Sequence, residues 1–468
     1  MARDAASAAD GSWVDVVADG RLPVFALICL GVWLNAADSL VTATIMPSVG
    51  RALGGYAYFG WATAGFLLGS VMAGASSGLL AQKFGLARAT AVSALLYSGG
   101  CALSAWAPDM SVFLVGRALQ GVGGGWVAGF SSVAIGVLFP DRTLARVYAA
   151  VTSVWGIATL VGPLLGGVFA DAGAWRWVFW FFAVQGVALA GLALALLPKA
   201  GGEPNARVAW PQLGMIAAGV AAIGWADMAG SVAGSAALTL AGLAILAAMV
   251  AFDARAPVRL LPRGSASLST TPGAGYATMF LLTAASMGFA VYGPAILQTL
   301  RGYSALVAGY VVAIEALAWT GFALVVTHLT GPWPGRMIRL GAVFVTLGLA
   351  VCAVGFAHGP LAVVALGATL LGGGFGLSWS FMAQQVIVAL PGEERAIGAA
   401  GTTTVRLTGS AAGAAVAAVI ANLLGFAHGL TREAAEAASF WVFAIATPIA
   451  ALGIWTAWRL GRAQAAET

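Results

Sequence analysis

Apolar residues run along this chain in unbroken blocks of about twenty, divided by short polar or charged turns. The blocks are continuous. They lack the alternating ten-residue pattern of a membrane barrel. Fourteen helical blocks are predicted. The first six span roughly 24–47, 60–81, 88–107, 110–138, 144–170 and 176–197. A pair follows at 211–230 and 234–252. The last six cover 273–298, 303–329, 337–357, 360–390, 398–424 and 438–459. The fold class expected is therefore an all-α polytopic membrane protein of 14 spans: two six-helix bundles plus two inserted linker helices. In domain terms this gives an N-terminal tail over 1–22 and a first bundle over 23–198. The inserted pair with its linkers takes 199–272, the second bundle 273–460 and the C-terminal tail 461–468.

Composition agrees. The 468 residues are 60% hydrophobic and 8% charged, against about 25% charged in soluble chains. Basic residues then set the orientation. Of 22 Lys and Arg, only Arg51, Arg176, Arg301 and Arg432 fall in turns on one side. Arg117 and Arg406 fall inside spans, and the rest lie on the other side with both termini. That side is expected to be cytoplasmic, in a multi-pass protein of a bacterial inner membrane. The +5 net charge is accounted for by topology and calls for no nucleic-acid partner. The charged first 21 residues lack an apolar core, so the first span is expected to act as the targeting signal. The stretch from Asp253 to Gly273, basic and rich in Pro and Ser, reads as a cytoplasmic linker. The turns Gly78–Arg88 and Gly331–Arg339 are both short, basic and glycine-bearing, a faint repeat that suggests parallel halves rocking about a central site. Cys29, Cys101 and Cys352 lie in separate spans, and His328, His358 and His428 are far apart. No disulfide and no metal site is assigned.

Charges at bilayer depth cost at least ~2.5–3.5 kcal/mol each on insertion scales, so each needs a reason. Asp38 in span one and Arg117 in span four are expected at similar depth, roughly 10–12 Å below the outer surface. They read as a proton-coupling pair or as a fixed structural ion pair. Glu315 in span ten has only Ala316, Leu317 and Trp319 beside it. It reads as a proton site, a counter-charge for a cationic substrate, or a neutral acid bonded to a backbone carbonyl. Arg406 in span thirteen suits a gating or structural charge, and Asp227 a solvated interfacial one. Trp33, Trp126, Trp155, Trp319 and Trp379 lie mid-span rather than in the interfacial belts. They either line an aromatic cavity or pack. No nucleotide-binding or catalytic motif is visible, so neither an enzyme nor a cofactor is expected, and the energy source would be an ion gradient. One charge moved across 100 mV supplies ~2.3 kcal/mol, enough for a roughly fifty-fold gradient.

The motifs, in order, are these. Asp38 stands nine residues before Pro47 in span one. The turn after span two carries Gly78, Gln82, Lys83, Gly85 and Arg88. Span four has Arg117, Gln120, Gly121 and Gly123. Span five has Gly156, then Gly162, Pro163, Gly166 and Gly167 as G-P-x-x-G-G, followed by Trp175, Arg176 and Trp177. Span thirteen has Arg406 before Gly409 and Gly413. In this order and placement the chain resembles the major facilitator superfamily, in particular its fourteen-helix drug:proton antiporter branch, over nearly its whole length. The resemblance implies an alternating-access antiporter exporting small lipophilic, cationic or aromatic compounds against protons. Asp38, Arg117 and Glu315 would handle protons. The span-five motif would seal against leak, and Gln120 with the five tryptophans would line the substrate cavity. It departs from the family at Gln82, where an acidic latch residue is usual, and at Leu40, where threonine is usual. The partners expected are a small-molecule substrate, protons and lipid, for a monomer in a multidrug-efflux and antibiotic-resistance role. The alternatives are a proton symporter importing a small metabolite and a non-transporting membrane sensor or scaffold.

Overall fold

The computed structural model describes residues 20–198, 208–229, 231–326, 328–329 and 331–467. The described residues form fourteen α-helices. The first six are α1 (Leu22–Leu53), α2 (Phe59–Phe84), α3 (Leu86–Trp106), α4 (Met110–Leu138), α5 (Asp141–Asp171) and α6 (Arg176–Leu196). Then come α7 (Trp210–Gly224) and α8 (Val232–Asp253). The last six are α9 (Thr271–Arg301), α10 (Ala305–Val326), α11 (Trp333–Ala357), α12 (Leu361–Val388), α13 (Arg395–Leu423) and α14 (Arg432–Glu467). Successive helices reverse direction, so residues 20 and 467 emerge on one face, called the near face below. The turn after α1 lies on the opposite, far face. Most of the proposed N-terminal tail falls outside the described residues.

Thirteen of these helices are long and apolar enough to cross a membrane. The exception is α7, whose 15 residues rise only about 22 Å against a core of about 30 Å. A five-residue 3-10 turn, Trp225–Ala229, continues it and adds about 10 Å. Asp227 belongs to that turn, but its side chain lies outside the described residues. The other departure from expectation is α1. It runs on past Pro47 and stops only at Gly54, whose φ of 67° ends the helix while its N–H bonds back to the Gly50 carbonyl. Asp38 thus sits at the middle of α1, deeper than the roughly 10–12 Å expected. A proline inside a membrane helix is tolerated where neighbours pack around it, and Pro47 is buried.

Helix starts are fixed locally. Asp109, Ser231 and Thr270 each accept a bond from the backbone N–H three residues on, capping α4, α8 and α9. Within the first six helices, α4 is the spine, packing on both α2 and α3. Its glycines make this possible. A Cβ on Gly121 would stand 2.1 Å from the Phe66 carbonyl oxygen of α2, and one on Gly123 2.5 Å from the Tyr97 nitrogen of α3. Ser70 reinforces the first contact by donating to the Gly121 carbonyl at 3.1 Å. The last six helices repeat the scheme. There α12 packs on α10 and α11, with Gly372 against the Glu315 backbone.

The two groups of six meet in the far halves of their helices. Gly60 of α2 lies against Ala414 and Ala418 of α13, and Gly167 of α5 against Leu306 of α10. Phe59 stacks on Tyr292 with centroids 6.0 Å apart, and Asn422 donates to the Ala57 carbonyl at 2.6 Å. On α5 toward the near face, open space surrounds Gly156 and Trp155 is 39% exposed. The contacts between the two groups named above gather at the far face, which is closed.

Gly121→Ala forces a methyl into the α2 backbone, a cost of about 1–3 kcal/mol by overpacking. Gly136→Ala, on the same helix with nothing within 4 Å, costs nothing of the kind. Thermal unfolding of the purified protein in detergent checks this: only Gly121→Ala lowers the midpoint by several degrees.

Candidate functional site

The most densely bonded side chains in the first six helices surround Arg117. This guanidinium is 2% exposed and Asp38 is fully buried. Arg117 Nη1 donates to both Asp38 carboxylate oxygens, at 2.9 and 3.0 Å. It also donates to Gln120 Oε1, one turn along α4. Arg117 Nε reaches the Ala62 carbonyl of α2 at 3.3 Å, and the guanidinium lies 4.5 Å from the Phe66 ring centroid. Gln120 Nε2 donates to Ser104 Oγ of α3 at 2.8 Å, and Thr42 Oγ1 donates to Asp38 Oδ1 at 3.1 Å. Four helices therefore converge on one ion pair. A lone buried charge is costly, and this one is paired, hydrogen-bonded and faced by an aromatic ring. Ser104, Thr42, Phe66 and the Ala62 carbonyl were not apparent from sequence. A serine in an apolar span carries no signal until the fold supplies its partner.

The span-five motif forms a junction of three helices. Gly162 and Gly166 face α1, where added Cβ atoms would meet Leu40 Cβ at 2.8 Å and Thr44 Cβ at 3.0 Å. Gly167 faces the other bundle: its Cβ would lie 2.5 Å from Leu306 Cα. Pro163 packs with Gly309 of α10, and so does Thr44. At the end of α5, Asp171 crosses the seam. Its carboxylate accepts the Ala305 and Leu306 N–H groups at 2.9 and 3.4 Å. One bundle thus caps a helix of the other, with the negative charge at the positive end of the α10 dipole. Gln298 Nε2 adds a bond to the Thr44 carbonyl at 3.4 Å.

The other nominated residues scatter. Trp33 donates to Gln185 at 3.1 Å and Trp126 to Ser76 at 2.8 Å, both inside the first bundle. Trp319 and Trp379 come together. Trp319 stacks on Phe375 at 4.8 Å and touches Trp379 at 5.7 Å. Glu315, one turn before Trp319, is half-buried and makes no hydrogen bond or ion pair among the described residues. Arg406 is also half-buried and without such a partner among them. In the turn after α2, Gly85 adopts φ 79° between two helices and Lys83 sits over Phe84 at 5.5 Å. Gly78 and Arg88 are exposed, and the Gln82 side chain lies outside the described residues.

Arg117→Leu is expected to destabilise the protein by about 3–5 kcal/mol, because it strips a buried carboxylate of its counter-charge. Asp38→Asn costs less, since an amide oxygen can still accept from Arg117. A double-mutant cycle on thermal stability checks the pairing: strictly additive single effects would contradict it.

The family model of the Major Facilitator Superfamily matches residues 28–414. A protein of Mycobacterium tuberculosis described as a probable multidrug-efflux transporter is 29% identical over 431 residues, covering 88% of this chain and 90% of that protein. Among solved structures, a POT peptide transporter bound to alafosfalin superposes with a TM-score of 0.69 over 99% of both chains, at 17% identity. A D-xylose–proton symporter gives 0.62 over 92% of this chain and 97% of that one, at 16% identity. At such identities the two structures speak for the fold. With the family model spanning most of the helices, the chain belongs to the Major Facilitator Superfamily and is a multi-pass membrane transporter, not an enzyme.

Proposed function

We propose that this transporter is a proton-coupled exporter of small lipophilic compounds, cationic or aromatic in character, working by alternating access in a bacterial inner membrane with the near face cytoplasmic. The observation that carries the reading is the buried Asp38–Arg117 pair standing beside the α1–α5–α10 junction. Efflux relatives along almost the full length support the direction of transport.

In the described state the far face is closed and Asp38 is held by Arg117. Once the far face opens, a proton arriving from outside neutralises the Asp38 carboxylate and weakens its attraction for Arg117. The guanidinium is not stranded, because the Ala62 carbonyl, Gln120 and the Phe66 ring still hold it. What loosens is the tie between α1 and α4. Six residues on, Thr44 of α1 packs against both Gly166 of α5 and Gly309 of α10. A change in α1 is thereby felt at the bundle seam, which is where a gate must act. Reopening toward the cytoplasm returns the proton there as Arg117 reclaims the carboxylate.

Substrate selection falls to the second bundle. Glu315, without a counter-charge, and the Trp319–Phe375–Trp379 cluster suit a flat organic cation: a carboxylate for its charge, ring faces for its body.

Reconstitution into liposomes with an internal pH dye tests the reading. Adding lipophilic cations under an imposed pH gradient is expected to drive proton movement in the wild type. Asp38→Asn abolishes it while the protein still folds. Glu315→Gln lowers transport of cations at least about tenfold, yet leaves a neutral aromatic substrate within about twofold. Proton movement that persists in Asp38→Asn would remove Asp38 from the coupling role. Cation transport untouched by Glu315→Gln would move the charge-recognition site elsewhere.

A further inference from the structure

The α7–α8 pair lies outside both bundles, yet it is not a loose insertion. Its two helices touch backbone to backbone: a Cβ on Gly242 would stand 2.5 Å from the Gly219 carbonyl oxygen. The pair therefore moves as one body. On the near face it is tied down twice. Asp253, at the end of α8 and 1% exposed, accepts the N–H groups of Leu260 and Leu261 at 2.8 and 2.9 Å. It also accepts from Gln212 of α7 at 3.0 Å. This folds the linker back onto both hairpin helices. The folded linker is then gripped by Glu394, at the start of α13. Its carboxylate accepts from Arg259 Nη2 and from the Arg263 N–H, both at 2.9 Å, with Arg263 Nε at 3.5 Å. Leu261 is buried beside Gly401 of the same helix. All these ties lead to the second bundle, and α7 packs along α13 as well.

The hairpin's tie to the first bundle is of another kind. At the far end of α7, Trp61 of α2 donates its indole N–H to the Gly224 carbonyl at 3.2 Å. A Cβ on Gly224 would fall 2.2 Å from the indole ring, so only glycine admits this contact. Trp225 meets the same indole edge-on at 6.2 Å. Trp61 is two residues from Phe59 and one from Gly60, both part of the closed far-face seam.

We propose that the α7–α8 hairpin is a rigid extension of the second bundle, clamped through Asp253 and Glu394, and that Trp61 against Gly224 is a releasable far-face latch holding the first bundle in the state open to the near face. The proposal rests on the alternating access proposed above, with the two bundles rocking against each other. When the far face opens, the first bundle leaves the hairpin as well as the second bundle. The insertion thus adds a contact to one end state alone and sets the balance between the two.

Spin-label distances decide it, with cysteines introduced in pairs into the full-length protein after its native cysteines are replaced by alanine. Exposed far-face positions serve: Ala52 on the first bundle, Val232 on the hairpin and Glu433 on the second bundle. On acidification with a lipophilic cation present, the 52–433 and 52–232 distances are expected to lengthen together while 232–433 stays fixed. Lengthening of 232–433 with 52–232 fixed would overturn the proposal, because the hairpin would then travel with the first bundle. A 52–433 distance that never changes would instead overturn the rocking motion itself. Trp61→Phe keeps the ring and removes the donor. It is expected to raise the far-face-open population roughly two- to tenfold, the weight of one net hydrogen bond. An unchanged population in both Trp61→Phe and Trp61→Ala would show that no latch exists there. Glu394→Gln is expected to broaden the 232–433 distribution, and an unchanged width would remove the clamp.

Discussion

The architecture of the first bundle depends on keeping one arginine satisfied at bilayer depth. Arg117 cannot shed its charge in practice, and in hydrocarbon an unpaired guanidinium is costly. The helices around it are arranged accordingly. Gly121 and Gly123 draw α2 and α3 into backbone contact with α4. That proximity delivers the Ala62 carbonyl, the Phe66 ring and, through Gln120, Ser104. Asp38 then has to approach from α1. The glycines and the charges of α4 are one design: without the close approach, Arg117 would have too few partners to be buried.

That same pair borders the seam between bundles. The span-five motif touches α1 with one face and α10 with the other, so three helices from two bundles share a few small residues. Small residues transmit position poorly through bulk and well through contact, because no flexible side chain absorbs the shift. Asp171 closes the far end of this line by capping α10. The contact needs no side chain from the second bundle at all, only the two free N–H groups that any helix offers at its start.

Much of this was legible in the sequence, and the limits have physical causes. Fourteen helices, thirteen of them long enough to span, and the candidates on α4 and α5 follow from block length and from residues that are costly in lipid. An end of α1 at Pro47, which the sequence predicts, does not occur, since proline terminates helices in water more reliably than in a packed membrane core. The longer helix shifts Asp38 in depth, though its pairing with Arg117 follows from the cost of leaving either alone. Asp171, Asn422, Trp61 and Glu394 could not be found in advance. Each lies near a helix end, where a polar or aromatic residue is ordinary, and each is singled out by a partner between 131 and 365 positions away in sequence.

The two bundles differ in how they hold charge, and this bears on how labour is divided. In the first, the buried acid and base neutralise each other at hydrogen-bond distance. In the second, Glu315 and Arg406 stand half-buried with neither hydrogen bond nor ion pair among the described residues. A paired charge resists solvent and organic ions but can exchange a proton, the smallest cation, without large rearrangement. An unpaired carboxylate beside aromatic rings gains most from a ligand that brings its own positive charge. Under the proposed exchange, proton traffic would fall to the first bundle and substrate recognition to the second. Coupling between them would then have to pass through the seam they share, and Thr44, within two turns of Asp38 and in contact with Gly309, offers a route across it.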